Sequence, residues 1–316
     1  MRILVTGANG FIGRALRTGF ADLGHAALGV DIAGGDGVVE GDTAHPAAWA
    51  HMLQGVDVVI HTAAIVSTVA PLQRAWQVNV AGTKRVLDAA VDAGVPHLIF
   101  LSSVAVWGDD FPDGVTEEDP PRVQGHSYAD TKINGEAVVL AAHAAGRIDV
   151  TVIRPGDVYG PGSRPWVVLP LEVIRRGVMV LPEHGRGVFS PVYIDDLVSA
   201  IVLAATCPAA RGQVFTITSG AGVPCAEYFG RLAEMVGGSV RTGPTRPVVA
   251  LMATAGRAER ALGRPSELSA NAAGMLTRTG TYSIGKARRL LGYEPRVDLD
   301  EGMVRTRAWL LAEGLL

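Results

Sequence analysis

Tyr128 and Lys132 stand four residues apart in Tyr128-Ala129-Asp130-Thr131-Lys132, a spacing that brings a phenol and an ammonium onto one face of a helix. A phenol with an ordinary pKa near ~10 is a poor base at neutral pH, but a neighbouring ammonium favours the phenolate. Such a pair can pass a proton to or from a substrate oxygen, which works best when the pKa lies near the working pH. Tyr and Lys also meet at this spacing on solvated helix faces, so the surroundings must decide its meaning. The apolar run Leu98-Ile99-Phe100-Leu101 leads into Ser102-Ser103. A hydroxyl there lies at the carboxyl end of a strand, where open α/β sheets bind ligands, and can hold a substrate oxygen beside Tyr128.

A second group of residues points to a dinucleotide. Thr6-Gly7-Ala8-Asn9-Gly10-Phe11-Ile12-Gly13 follows directly on the apolar run Ile3-Leu4-Val5 and precedes a helical stretch, Ala15 to Leu23. A glycine-rich turn between strand and helix lets the backbone approach a pyrophosphate, and the free N–H groups and dipole at the helix start favour its charge. The spacing of Gly7, Gly10 and Gly13 differs from G-x-G-x-x-G, so the position after the first strand carries the argument. The next strand ends at Asp31. A carboxylate at that place accepts hydrogen bonds from the adenosine ribose and repels a 2′-phosphate. With no Arg or Lys among residues 32–37, the expected cofactor is NAD rather than NADP.

The elements needed to position these residues are legible as strand-length apolar runs at Ile3 to Val5, Ala26 to Val30, Val56 to Ile60, Leu98 to Leu101 and Val150 to Ile153. Helical periodicity lies between most of them, the alternation of βαβ units and a parallel sheet. The fold class is therefore α/β, a Rossmann-type doubly wound parallel sheet with a smaller C-terminal substrate-binding lobe. Residues 1–158, joined by 188–219 with a strand at Val214 to Thr218, form the dinucleotide-binding unit; 159–187 and 220–316 form the lobe. A helix is expected at Tyr128 to Ala144 and another at Val167 to Arg176. The stretch from Arg246 to Pro265 reads as an amphipathic helix, for which contact with a membrane surface is a minority reading.

Composition narrows the function classes. The 316 residues hold 28 basic and 31 acidic side chains, with no excess of positive charge to attract nucleic acid. No stretch has the length and apolarity of a membrane span. Cys207 and Cys225 have no partners at metal spacing, so neither metal nor disulfide is expected. The first apolar run is interrupted by Gly7 and Asn9 too early for a signal sequence, which makes a cytoplasmic location the expectation. His61, His97, His126 and His143 are scattered over separate elements, and His61, at a strand end, is expected to pack rather than shuttle protons.

In this order and spacing, the pieces resemble the extended short-chain dehydrogenases/reductases, the NAD-dependent epimerase/dehydratase superfamily, over the whole chain. The resemblance rests on Gly7 to Gly13, Asp31, Gly41-Asp42, His61-Thr62-Ala63-Ala64, Asn79-Val80-Ala81-Gly82-Thr83, Ser102-Ser103, Tyr128 with Lys132, and Arg154 to Gly162. It implies that Ser103, five places before Gly108, is the catalytic serine and Tyr128 the general acid/base. Lys132 would also meet the nicotinamide ribose. Phe11 and Ile12 belong to the cofactor turn, Asp42 would meet the adenine amino group, Ala63 and Ala64 would line the groove, and Pro155 would border the nicotinamide. Asn79 would either relay protons or tie its helix to the sheet. A homodimer through the Asn79-bearing and Tyr128-bearing helices is the family expectation.

Members of this family dehydrogenate, epimerise or dehydrate. Dehydratases carry an acidic pair after the catalytic Ser or Thr, and here Val104-Ala105 stands in its place. Sugar-nucleotide epimerases place an arginine shortly before the segment that reads Tyr193-Ile194-Asp195-Asp196-Leu197, where this chain has Phe189, with Arg186 close enough in sequence to substitute if the loop shifts. An aromatic there would suit an apolar substrate. The last third is similar to the 3β-hydroxysteroid dehydrogenase-like branch. The function expected is therefore interconversion of a secondary alcohol and a ketone on a fairly apolar, steroid-like or polycyclic molecule. An NDP-sugar 4-epimerase that retains NAD is the alternative, and a non-catalytic dinucleotide-binding protein the reading from another class.

Overall fold

The computed structural model describes every residue from Met1 to Leu316. Its centre is a seven-stranded sheet of β1 (Arg2–Thr6), β2 (Ala26–Asp31), β3 (Val38–Glu40), β4 (Val58–His61), β5 (His97–Leu101), β6 (Asp149–Pro155) and β7 (Val214–Ile217). The spatial order is β7-β6-β5-β4-β1-β2-β3, and every pairing is parallel. The order reverses between β1 and β4, which opens a crevice at their carboxyl ends. β3 escaped the sequence reading because it is three residues long and follows Gly34, Gly35 and Gly37.

Both faces of the sheet are covered, which is why its strands read as continuous apolar runs. Ile3, Val5, Ile60, Ile99, Ile153 and Phe215 face one way, against Leu16 and Phe20 of α1 (Phe11–Asp22). Leu4, Val59, Leu98, Phe100 and Val152 face the other, against Val86 and Leu87 of α2 (Thr83–Asp92) and Val139 of α3 (Ser127–Ala144). The first of these cores runs without a break into the C-terminal half, through Phe189, Tyr228 and Phe229 to Leu310. The sheet and the C-terminal half thus share one buried apolar core.

The long helix expected between Arg246 and Pro265 is α4 (Thr245–Ala261), and it buries only Val248 and Gly256. It ends where Gly263 turns with φ +73° and Pro265 removes the next donor. The expected Val167 to Arg176 helix is a regular helix only over Leu169–Arg175, preceded by a wider turn at Arg164–Val168.

Candidate active site

At the carboxyl end of β1 the chain turns at Gly7, with φ +72°. A Cβ on Gly7 would lie 2.8 Å from the backbone of Ala63, and one on Gly13 would lie 2.1 Å from the Gly7 carbonyl. Only hydrogen fits at either place, so the turn presses directly on the chain leaving β4. Gly10 caps α1 without a side chain, leaving the first-turn N–H groups available to an anion. Phe11 and Ile12 are half-buried at this helix start, and Ala63 and Ala64 are half-buried across the crevice.

The Asp31 carboxylate accepts the backbone N–H groups of Asn9 at 3.0 Å and Ala33 at 3.3 Å, so the strand end is fastened to the glycine turn. Asp42 is exposed, with its carboxylate on the N–H of Ala44 at 2.8 Å and its carbonyl held by the Trp49 indole at 3.0 Å. Arg17 brings a cation to this loop from outside residues 32–37. From α1 its guanidinium donates to the carbonyls of Asp36 at 3.0 Å and Gly37 at 3.2 Å, bracing that loop from behind. The uncapped helix start, the cradle too narrow for a Cβ and the ribose-side carboxylate fit a dinucleotide.

The other end of the crevice holds the residues expected to transfer the proton. Ser103 is 8% exposed at the end of β5 and its hydroxyl accepts the N–H of Ala105 at 3.1 Å. Tyr128 lies in the first turn of α3, beside it: burial raises its phenol pKa, a hydrogen bond with Ser103 lowers it, and the charge of Asp157 raises it again. Lys132, one turn on, is buried; its Nζ donates to the Leu101 carbonyl at 2.7 Å and lies 5.3 Å from the centre of the Phe100 ring. Burial draws its pKa down to about 8, against the opposing charge of Glu136. The ammonium therefore keeps its charge at neutral pH. Pro155 is buried at the end of β6, next to β5 in the sheet.

Asn79 is buried with its amide fully engaged. Its Oδ1 accepts the N–H of Ile65 at 2.7 Å, while Nδ2 donates to the Ile65 carbonyl at 3.0 Å and to Thr131 Oγ1 at 2.9 Å. This geometry ties the post-β4 loop to α3. His61 completes the same scaffold. Thr83 uses its proton on the Asn79 carbonyl at 2.7 Å, so it accepts from His61 Nε2 at 3.0 Å, and His61 Nδ1 accepts from Thr6 at 2.6 Å. Burial, assisted by Lys132, lowers the His61 pKa to about 3, and the ring is neutral.

Three features went unseen in the sequence. Arg154 grips Glu136 of α3 at 2.9 and 2.7 Å and lies 4.5 Å over the Trp107 ring. Asp157 is joined to Arg278 of the C-terminal lobe at 2.6 Å, and Arg278 also donates to the Tyr282 hydroxyl at 3.2 Å. Asp109, close to both Arg278 and His126, has a pKa raised by burial. No pattern in the chain links residues so far apart; the only available signal was that Arg154 and Asp157 interrupt a largely apolar stretch, Val150 to Tyr159.

Phe189 needs correction. It was expected to meet substrate, but it is wholly buried, stacked on Tyr228 at a ring separation of 3.8 Å and edge-on to Trp166 at 5.0 Å. Its place before the Tyr193 turn is a core position, packed among Trp166, Tyr228 and Phe229.

Residues 3–218 match the model of the NAD dependent epimerase/dehydratase family. The chain belongs to that family. Over 335 aligned residues it is 31% identical to a 2-alkyl-3-oxoalkanoate reductase of Stenotrophomonas maltophilia, covering 98% of this chain and 99% of that one. It is 30% identical over 320 residues to a 3 beta-hydroxysteroid dehydrogenase/Delta 5-->4-isomerase of Mycobacterium tuberculosis, covering 93% and 86% of the two chains. Among solved structures it is similar to MoeE5 in complex with UDP-glucuronic acid and NAD, with a TM-score of 0.80, 26% identity and coverage of 99% and 100%. As a member of this epimerase/dehydratase family the chain is an NAD-dependent enzyme of the extended short-chain dehydrogenase/reductase type. No helix is long and apolar enough to cross a membrane.

Proposed function

We propose that this enzyme interconverts a secondary alcohol and a ketone on a fairly apolar, steroid-like or polycyclic small molecule. The observation that carries the chemistry is the meeting of Ser103, Tyr128 and Lys132 at the carboxyl ends of neighbouring strands, beside the dinucleotide crevice. NAD, when bound, supplies the acceptor and donor of hydride. Gly7, Gly10, Gly13, Phe11 and Ile12 would hold its pyrophosphate end, Asp31 the adenosine ribose, Asp42 the adenine, Ala63 and Ala64 the groove wall, and Pro155 the nicotinamide end.

In oxidation, Ser103 orients the substrate hydroxyl and Tyr128 takes its proton; in reduction, Tyr128 returns it to the carbonyl oxygen. Burial makes the phenol a weaker acid and the Ser103 hydroxyl opposes this; the Lys132 ammonium one turn on and the oxidised nicotinamide would favour the phenolate further. Asn79 acts as a positioning residue, fixing the Ile65 loop and Thr131 on either side of this pair.

For the substrate, the buried cation of the second lobe, Arg278, is already neutralised by Asp157 and bonded to Tyr282. It offers no free donor to a nucleotide diphosphate. The relatives named for oxoalkanoate and hydroxysteroid chemistry support the same reading. NDP-sugar 4-epimerisation stands second, favoured by the full-length likeness to MoeE5, whose structure holds UDP-glucuronic acid. Presenting NAD with hydroxysteroids, long-chain 3-hydroxy acids and UDP-sugars separates the two. NAD reduction dependent on an apolar alcohol supports the first reading, whereas sugar interconversion with no net NAD reduction supports the second.

A homodimer through the helical stretch 72–92 and α3 is part of this proposal. Leu72 and Trp76 are exposed on the first, and Ala137 and Ala141 on the second. Sedimentation velocity of Trp76→Glu against the parent tests it.

A further inference from the structure

We propose that α4 is an interfacial helix that docks the enzyme on an anionic membrane surface. The helix is seventeen residues long and buries only Val248 and Gly256. At about 3.6 residues per turn, Leu262, Leu251, Ala258, Pro247, Ala261 and Ala250 follow one another around one arc, and all six are exposed. Leu251 is 55% and Leu262 73% exposed. Thr254, within the arc, turns its hydroxyl back onto the carbonyls of Ala250 at 2.8 Å and Leu251 at 3.0 Å. The arc is therefore apolar along its length.

One border is cationic. Arg246 and Arg257 both lie along the edge of the arc next to Ala250, Arg241 precedes the helix and Arg264 follows it. Residues 241–264 contain five arginines against one glutamate, in a chain whose net charge is −3. The fifth, Arg260, is internal, donating to the carbonyls of Ser266 at 2.9 Å and Leu268 at 3.0 Å. The other four form no ion pair with any carboxylate of the chain. An apolar stripe edged by unpaired arginines matches a surface that is apolar inside and negatively charged at its boundary, and long arginine stems let the charge reach the headgroups.

The helix is also linked to the candidate site through the segment that follows it. The segment that Arg260 fixes reaches the loop after β4, with Ser269 Oγ 3.0 Å from Thr68 Oγ1 and the Glu267 carboxylate accepting the Thr68 N–H at 3.3 Å. The next residue back, Ser67, accepts from Ser127, the neighbour of Tyr128, at 3.2 Å.

The test is co-sedimentation of the full chain with phosphatidylcholine vesicles, with and without phosphatidylserine, for the parent, Leu251→Glu/Leu262→Glu and Arg246→Gln/Arg257→Gln/Arg264→Gln. All the replaced side chains are exposed, and NAD binding reports folding of each variant. The expected result is binding to the phosphatidylserine vesicles that weakens with salt. It should fall on the order of a hundredfold in the arginine variant, at roughly fivefold per cation, and vanish in the leucine variant. No parental binding, binding unaffected by both variants, or self-association lost in Leu251→Glu/Leu262→Glu without vesicle binding would overturn the proposal. The readout involves no turnover, so it stands or falls independently of the substrate assigned above.

Discussion

Asp157 and Arg278, 121 residues apart in sequence, meet at 2.6 Å between Oδ2 and Nη2 with both side chains 3% exposed. The pair joins the strand segment Asp157–Tyr159 to the C-terminal lobe, and Asp157 also accepts the Ser190 N–H at 2.9 Å. The carboxylate's charge also reaches Tyr128 and raises its pKa, so under the proposed mechanism this junction would act on proton transfer. Replacing Arg278 with Met leaves a buried carboxylate unpaired, and should cost about 3–5 kcal/mol. The double variant Asp157→Asn/Arg278→Met should recover much of that loss. Urea unfolding of the three proteins checks this; equal losses in single and double variants would mean that the pair is not the source.

Acid should destabilise the fold well before the carboxylates titrate. His61 and His97 have pKa values lowered by burial to about 3 and about 4. The unfolded chain binds a proton at each near pH ~6.5 while the folded chain does not. Stability is thus full above that pH and is lost as pH falls toward 4, by about 1.4 kcal/mol per pH unit for each ring. Denaturant titrations at successive pH values should show the slope, and His97→Gln should remove about half of it between pH ~6 and ~5.

The cofactor turn has no tolerance for a methyl group. A Cβ at Gly13 meets the Gly7 carbonyl at 2.1 Å, so Gly13→Ala must displace the turn that presents α1. Overpacking of this kind costs about 1–3 kcal/mol, and NAD affinity measured by calorimetry should fall at least roughly tenfold. Unchanged affinity would place the pyrophosphate elsewhere.

The sheet was legible in the sequence because it rests on local patterns, and the candidate site was read from patterns of the same kind. Continuous apolar strands announce burial on two faces, glycines after the first strand announce close backbone approach, and Tyr128 with Lys132 share a helix face. The structure adds what no local window contains. β3 is too short for periodicity to register. Asn79 and His61 are explained by partners 14 to 55 residues away. Phe189 shows the limit most clearly: its type and place suggested substrate contact, but an aromatic fits a ligand and a core equally well, and Tyr228 and Trp166 decide for the core.

The central claim is that Tyr128 moves the proton in an NAD-dependent hydride transfer. It is tested most directly by following NADH absorbance with a hydroxysteroid or 3-hydroxy acid for the parent and Tyr128→Phe, with NAD affinity measured alongside. Loss of the phenol should lower kcat by roughly a hundredfold to ten-thousandfold with little change in NAD affinity. Undiminished turnover in Tyr128→Phe would contradict the account.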